Sequence, residues 1–200
     1  ENTEGETPFT RKIKQISFRK SFNAPFLEWL ITQGVNINHK NLHGITPLLL
    51  AIKSRNVPLC QFLLTHGANT VGEPPFTYII SNREITSDIK LSLLDLFAKH
   101  GANIDQRNKT TGRTPLNEVA YCDEYPIDIT VAQFLLDKGA NPNTQDKQGN
   151  FPLHNALQPN AHYDYLTDDD HLTNKQNLFD FVNLLLQHGA DPNAKNNKGE

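Results

Sequence analysis

The chain has 200 residues, of which 37% are hydrophobic and 20% charged, and its formal net charge is −3. It has no run of 18 apolar residues and no apolar segment behind a charged N-terminus, so we expect neither a membrane span nor a signal peptide. The slightly negative charge gives no general attraction to nucleic acid. Methionine is absent altogether, from which we expect a piece of a longer protein.

The first predicted helix is basic, and the cysteines and histidines are scattered. We interpret the basic residues as a solvated helix face rather than a nuclear signal or a phosphate site. They are Arg11, Lys12, Lys14, Arg19 and Lys20. Cys60 and Cys122 are too few for a disulfide framework, which predicts a reducing, intracellular compartment, the cytosol or the nucleus. No pair of histidines at ligand spacing lies beside a pair of cysteines, so we expect no metal and no cofactor.

Five apolar stretches have the i, i+3, i+4 spacing of one helix face, and a glycine ends each of them. In chain order they are FLEWLIT before Gly34, LCQFLLT before Gly67, LSLLDLFAK before Gly101, VAQFLLDK before Gly139 and FVNLLLQ before Gly189. Glycine at this place predicts the left-handed residue that stops a helix.

A second motif alternates with these helices. Its five copies are GETPF, GITPL, GEPPF, GRTPL and GNFPL, which begin at Gly5, Gly44, Gly72, Gly112 and Gly149. Thr7, Thr46 and Thr114 precede a proline, so each hydroxyl can cap a helix whose first turn accommodates the proline. The unit is therefore a turn, a short helix, a loop, a second helix, a glycine stop and an extended finger. Repetition on this scale indicates a solenoid.

The pattern is most complete in GITPLLLAIKSRNVPLCQFLLTHGAN, residues 44–69, and in GNFPLHNA with HGADPNAKNNKG nearer the C-terminus. On these residues the chain resembles the ankyrin repeat family over nearly its whole length. The resemblance implies an all-α solenoid of stacked helix-loop-helix units with extended fingers, in a single domain over residues 1–200. We place the units at about 3–40, 41–70, 71–109, 110–147 and 148–197. A truncated sixth unit from residue 198 would contain Gly199, so we expect further C-terminal repeats or another domain.

The spacing within the units is uneven. From motif proline to stop glycine the intervals are 26, 20, 26, 24 and 37 residues, and the usual unit of the family matches the second. Four units are thus expected to carry inserts between their paired helices, and the short ones are read as drift in unused loops. The longest, residues 158–174, is predicted as a polar loop, with Asp170 or Thr173 starting the next helix near Asn174. Functional and passive interpretations of this long insert stay open.

The long insert shares its chemistry with residues 121–129, because both place tyrosines beside acidic residues. Inserts of adjacent units should lie on one edge, where we expect an acidic ridge. The acidic ridge consists of Tyr121, Glu124, Tyr125, Tyr163, Asp164, Tyr165, Asp168, Asp169 and Asp170. It predicts a protein partner that is basic at its contact surface, with binding that weakens in salt. A calcium loop is not expected, because the shaping glycine and the closing glutamate are missing.

No catalytic residues are expected, because the sequence has no nucleophile elbow, phosphate loop or zinc-binding helix motif. The leading hypothesis is a protein–protein interaction scaffold, without nucleic acid, membrane or small-molecule substrate. Its concave groove would include Leu50, Lys53, Tyr78, Asn117 and Glu118. The alternative is the substrate-targeting domain of a larger enzyme. The Asn- and Lys-rich units with uneven inserts resemble those of effectors that bacteria deliver into the host cytosol.

Two further expectations concern the ends and the fingers. Lys12 is the only charged residue four positions beyond a motif proline, so we expect the first unit to be a polar cap. Leu157, Leu185 and Leu186 stay apolar, so the outer face of the fifth unit should be sticky. Asn38, Asn143 and Asn193 lie eight residues after a leucine, which resembles the targets of an asparagine hydroxylase. A purely structural role for these asparagines is the competing interpretation.

Overall fold

A computed structural model describes residues 3–19, 22–70, 75–121, 127–158 and 168–200, and the regular secondary structure in these ranges is helical. The helices are α1 Pro8–Arg19, α2 Ala24–Thr32, α3 Pro47–Lys53, α4 Val57–Thr65, α5 Pro75–Ser81, α6 Ser87–Lys99, α7 Pro115–Ala120, α8 Ile129–Asp137, α9 Pro152–Leu157 and α10 Asp168–Gln187. The predicted all-α fold is confirmed. Among the described residues, none of the helices has the length and apolarity that crossing a membrane requires.

Threonine side chains start three of the short helices, as the sequence predicts. The hydroxyl oxygens of Thr7, Thr46 and Thr114 each accept a hydrogen bond from the backbone N–H three residues later, at 3.1, 3.1 and 3.3 Å. Each bond satisfies an amide that has no partner within the helix. The proline that follows occupies the first helical position, where no N–H is needed.

Glycines end the second helices. All five predicted stop glycines have positive φ, between 76° and 88°. The turn glycines adopt the same conformation where the structure describes them, and Gly112 shows a second reason for glycine. Its φ is 73°, and a Cβ there would lie 3.0 Å from the backbone nitrogen of Lys147 in the next finger. Neighbouring fingers therefore approach each other too closely for a side chain at this turn.

The chain divides into two compact units. One comprises Glu1–Pro75 with Ser92–Gly101, and the other comprises Phe76–Leu91 with Ala102–Glu200. In the first unit, α3 packs against α1 and α4. In the second, α7 packs against α8 and α9, while α10 packs against the same two helices. First helices of adjacent repeats thus lie side by side within each unit.

The apolar faces of these helices form the cores. Phe9, Ile13 and Leu27 are buried in the first unit, and Leu116, Phe181 and Leu185 in the second. Burying a side chain of this size contributes about 1.5–3 kcal/mol. The alternation of buried and exposed positions follows the helical period on which the prediction of these segments was based.

The prediction that a loop extends to Asn174 is wrong. Helix α10 begins at Asp168, six residues earlier, so it contains the three consecutive aspartates in its first turn. Carboxylates are favourable there because the N-terminus of a helix carries a partial positive charge. The remaining part of the insert, residues 159–167, lies outside the described residues.

The polar cap on the first repeat stays a prediction, and the structure gives the setting of Lys12. Lys12 is half-buried rather than fully solvated, and its ammonium group lies 5.6 Å from the centroid of the Phe26 ring. Phe26 and Trp29, on the adjacent helix α2, are 40% and 55% exposed. This face therefore combines a cation with two accessible aromatic rings.

Leu185 and Leu186 provide a test of the core on α10, because Leu185 is fully buried and Leu186 is 41% exposed. Leu185→Ala should lower the free energy of unfolding by about 2–5 kcal/mol, since it leaves a cavity between α10 and the helices beneath it. Leu186→Ala, the matched control, should cost less than about 1 kcal/mol. Chemical denaturation followed by circular dichroism measures both. Unchanged unfolding of Leu185→Ala would contradict the assigned core.

Candidate protein-binding surface

Each described finger closes its own turn with a short polar side chain. The Oδ1 atom of Asn41 accepts hydrogen bonds from the backbone N–H groups of His43 and Ile45, at 3.0 and 2.9 Å. The equivalent acceptors in later fingers are Asn108, Asp146 and Asn196. Asparagine and aspartate suit this role because their side chains reach the backbone two residues ahead. The fingers are therefore built as fixed turns.

In the fingers that contain Asn38 and Asn143, a second side chain connects the finger to the next one. The Asn38 amide donates to the carbonyl oxygen of Gly67 at 3.1 Å, and its Oδ1 accepts from the N–H of Asn69 at 2.7 Å. Asn143 makes the same two bonds to the finger that follows it, at 2.8 and 2.9 Å. Asn193 occupies the corresponding place in the last finger of the sequence. Two of the three predicted hydroxylation positions, Asn38 and Asn143, are thus held by the finger that follows them.

Asp105 stands where Asn38 and Asn143 stand in other fingers. Both of its carboxylate oxygens face the backbone N–H of Asn141, at 3.1 and 3.3 Å. Burial raises the pKa of the Asp105 carboxyl, and this outweighs the Asn141 N–H and the nearby charge of Arg107, which both lower it. A carboxylate can accept the N–H but cannot donate to a carbonyl as the asparagines do.

A half-buried arginine organises the surface at the end of α7. The guanidinium carbon of Arg113 lies 3.2 Å from the centroid of the Tyr121 ring. Arg113 Nη1 is 3.8 Å from Glu118 Oε2, and its Nε is 3.9 Å from Asp146 Oδ2. The Arg113 and Glu118 side chains are 14% and 11% exposed, and Asp146 is fully buried. Tyr121 therefore rests on a cation that lies within ion-pair distance of two carboxylates.

Asn117 does not belong to a binding surface, although the sequence suggested it. Its side chain is fully buried. The carboxamide donates to the carbonyl oxygens of Thr144 and Asn150 in the next finger, at 3.1 and 3.4 Å. A buried amide needs such partners, because an unsatisfied one costs about 1–3 kcal/mol. Asn117 thus joins α7 to the finger that ends its own repeat.

The other residues predicted for the concave groove are divided between the two compact units. In the first unit, Leu50 is half-buried and Lys53 is exposed, both on α3. In the second unit, Tyr78 on α5 is half-buried, and its hydroxyl accepts a hydrogen bond from Asn82 Nδ2 at 3.2 Å. Glu118 is directed to Arg113, so its carboxylate is already paired within the chain. Leu50, Lys53 and Tyr78 remain candidates for contact with a partner.

Most of the acidic ridge lies beyond what the structure describes. Glu124, Tyr125, Tyr163, Asp164 and Tyr165 are outside the described residues. Asp168, Asp169 and Asp170 are in the first turn of α10, with side chains that are not described. Tyr121 is the member of the acidic ridge whose side-chain contacts the structure describes. Arg113, which stacks on its ring, was not predicted from the sequence. The one signal was a charged residue directly after a turn glycine, with Glu118 on the helix that follows and Tyr121 directly after its end.

The possible metal ligands of the described residues are dispersed, and the one cysteine among these residues is buried. No cluster of three or more histidine, cysteine or acidic side chains that could hold a metal occurs among them. Burial raises the pKa of the Cys60 thiol to about 12. At neutral pH this thiol therefore stays protonated and is a poor nucleophile.

Comparison with known families decides the classification of these repeats. The family profile "Ankyrin repeats (3 copies)" matches residues 85–196, and the profile "Ankyrin repeat" matches residues 43–70. The chain belongs to the ankyrin repeat family. Ankyrin repeat domains in general mediate protein–protein interactions and are typically not catalytic.

Similar ankyrin proteins come from animals, viruses and bacteria. Ankyrin repeat and SOCS box protein 6 of Pongo abelii is 32% identical over 138 residues, which are 69% of this chain and 30% of that protein. Putative ankyrin repeat protein L92 of Acanthamoeba polyphaga mimivirus is 32% identical over 190 residues, 91% of this chain and 40% of that protein. Phosphocholine transferase AnkX of Legionella pneumophila is 24% identical over 190 residues, 78% of this chain and 19% of the transferase. The chain thus spans less than half the length of each.

Solved structures show the same ankyrin fold. An ankyrin repeat domain of Acinetobacter baumannii superposes with a TM-score of 0.71 at 21% identity, covering 94% of this chain and 86% of that chain. The ankyrin repeat domain of Bcl-3 superposes with a TM-score of 0.70 at 22% identity, covering 100% of this chain and 77% of that chain. At these identities the likeness concerns the fold.

Replacing Asp105 by asparagine should stabilise the ankyrin domain. The asparagine keeps an acceptor for the Asn141 N–H and adds a donor for the next finger, as at Asn38 and Asn143, for a gain of about 0.5–1.5 kcal/mol. Because the folded-state pKa of Asp105 is raised, its ionisation costs stability as the pH rises through that pKa, and the cost is absent in acid. The difference in thermal unfolding between Asp105→Asn and the parent should be larger at pH 7.5 than at pH 4.5. A difference that shrinks as the pH rises would refute this assignment.

Proposed function

We propose that this ankyrin chain is a protein-binding scaffold whose partner contacts the first-helix and finger surface together with the acidic ridge. The observation that supports this most is the setting of Tyr121, whose ring is stacked on Arg113 at the point where the 121–129 insert leaves α7. A tyrosine held in this way loses little conformational freedom when a partner binds, and fixed aromatic anchors contribute most to interface affinity.

The charges around Tyr121 favour a basic partner. Arg113 is a single cation facing two carboxylates, Glu118 and Asp146. The residues of the two inserts that carry a formal charge are all acidic, namely Asp123, Glu124, Asp128, Asp164 and Asp168–Asp170. Complementary charge accelerates association and selects among partners, and its effect falls as salt is added.

The first experiment is a paired affinity capture from cell lysate with two baits. One bait is the chain itself, and the other replaces residues 159–167 by a Gly/Ser loop of equal length, which leaves α10 intact from Asp168. Equal circular dichroism spectra establish that both baits fold. A partner that disappears with the loop supports recognition on the acidic ridge, and its capture should weaken in high salt. A partner retained by both baits would move recognition to the first helices and fingers.

Tyr121 can then be tested directly with the captured partner. Tyr121→Ala should weaken binding at least about tenfold, since the loss of an aromatic anchor costs more than about 1.4 kcal/mol. Tyr121→Phe keeps the ring over Arg113 and should bind within a few-fold of the parent, which separates the ring from the hydroxyl. Titration calorimetry provides both values. Equal affinity of Tyr121→Ala and the parent would exclude Tyr121 as an anchor.

A second candidate is the substrate-targeting part of a larger enzyme, such as a bacterial effector acting in the host cytosol. The observation that favours it is the match to AnkX, of which this chain corresponds to 19% of the length. The coding sequence that follows Glu200 distinguishes the two: further repeats favour a scaffold, and a segment with an active-site motif favours the enzyme. In both cases we place the chain in a reducing, intracellular compartment, where the buried thiol of Cys60 stays unpaired.

The finger asparagines support a narrower proposal, that the chain is a substrate of an asparagine hydroxylase. The Asn38 and Asn143 carboxamides are bonded to neighbouring fingers, so each should react only after those bonds open. Peptide mass spectrometry after incubation with such an enzyme locates the added oxygen. No added oxygen at Asn38, Asn143 or Asn193 would end the proposal.

A further inference from the structure

The second helix of the first repeat exposes two large aromatic side chains next to each other. Phe26 and Trp29 are 40% and 55% exposed, and their rings lie nearly parallel, with centroids 6.1 Å apart and planes at 25°. The backbone that carries them is fixed, because Asn23 Oδ1 accepts from the N–H of Phe26 at 3.1 Å and caps the helix. Single exposed apolar residues are ordinary, but a contiguous aromatic pair indicates an interaction surface.

A cation borders this pair. The Lys12 ammonium group lies 5.6 Å from the Phe26 centroid, within the range of a cation–π contact. Lys12 and the exposed Arg11 form no ion pair in the part of the chain that the structure describes, whereas Lys14 on the same helix is paired with Glu4 and Glu6 at 3.1 and 2.8 Å. The charge beside the aromatic rings is therefore not neutralised from α1.

The nearest acidic residue on α2 does not cancel this charge. Glu28 lies between the two aromatic residues in sequence, and its carboxylate is 4.0 Å from the His66 ring on α4. On a helix, residues 26 and 29 share one face, and residue 28 points elsewhere. The surface formed by Lys12, Phe26 and Trp29, named the Trp29 surface below, is thus apolar with a positive border.

We propose that the Trp29 surface is a second docking site, which binds an acidic amphipathic segment of a partner protein. An apolar side chain of the segment packs on Phe26 and Trp29, and a carboxylate pairs with Lys12. Because the ring of Phe26 already shields one side of the ammonium group, an ion pair there forms with less loss of hydration than at a free lysine. The charge preference is opposite to that of the acidic ridge, so the two surfaces select different partners.

Trp29 makes the site directly observable, because it is the only tryptophan in the chain. The probes are two tryptophan-free helical peptides with the same leucine face, one with glutamates and the other with lysines on the polar face. Titration with the glutamate peptide should shift the Trp29 emission to shorter wavelength and saturate, as the indole leaves water. The lysine peptide should bind at least about tenfold more weakly, a difference of about 1.4 kcal/mol.

Three variants distinguish the contribution of the Lys12 charge, the contribution of the Phe26 ring and nonspecific binding of the peptides. Lys12→Glu should weaken binding of the glutamate peptide and strengthen binding of the lysine peptide. Phe26→Ala should weaken binding of the glutamate peptide at least about tenfold. Phe179→Ala is the matched control, because Phe179 is an equally prominent aromatic residue, 62% exposed, in the other unit. It should leave both titrations unchanged. Circular dichroism verifies that each variant folds.

Several results would overturn the proposal. An emission that neither peptide changes shows that the surface binds no such segment. Equal responses to both peptides, or a Lys12→Glu variant with unaltered preference, remove the acidic specificity. An emission shift that depends on the concentration of the chain alone, without peptide, shows that a second copy of the chain covers Trp29 instead.

Discussion

The structure depends on the short polar side chains that join one finger to the next. Asn38 in the first unit and Asn143 in the second each donate to a carbonyl and accept from an N–H of the neighbouring finger. A pair of bonds from one planar carboxamide fixes both the distance and the direction between two backbones. Since the fingers are continuous with the first helices, the same bonds set the spacing of the helices that follow them. Asp105 can supply only the acceptor, so its junction has one bond fewer to hold it.

Polar side chains inside the second unit connect the hydrogen-bonded fingers to the protein surface. Asp146 closes a finger turn with one oxygen and faces Arg113 with the other, and Arg113 supports the ring of Tyr121. A buried carboxylate is costly unless it is paired, and Arg113 lies between Asp146 and the ring of Tyr121, within ion-pair distance of the carboxylate. The half-buried ring of Tyr121 is in this way linked to a buried aspartate in the finger of its own repeat.

The sequence revealed the features that arise from local chemistry. Glycine stops such as Gly139 and threonine caps such as Thr114 were predicted because each acts within a few residues of its own position. Asn117 was misplaced because its partners, Thr144 and Asn150, are 27 and 33 residues further along the chain, a contact that a periodic pattern does not specify. The start of α10 was missed for a related reason, since polar aspartates suggest a loop until the helix they begin is known. Arg113 and the pair Phe26 and Trp29 depend on packing between helices, which one sequence without relatives does not reveal.

Fingers and inserts have different structural roles, and this difference has an evolutionary consequence. The bonds from Asn38 and Asn143 that hold successive repeats together come from the fingers. The inserts, by contrast, follow α7 and α9, between the two helices of a single repeat. Segments can therefore be lengthened, shortened or exchanged at those two places without changing the register of the stack. New binding specificities can accumulate there one insertion at a time, and a designer could graft a chosen recognition loop at the same positions.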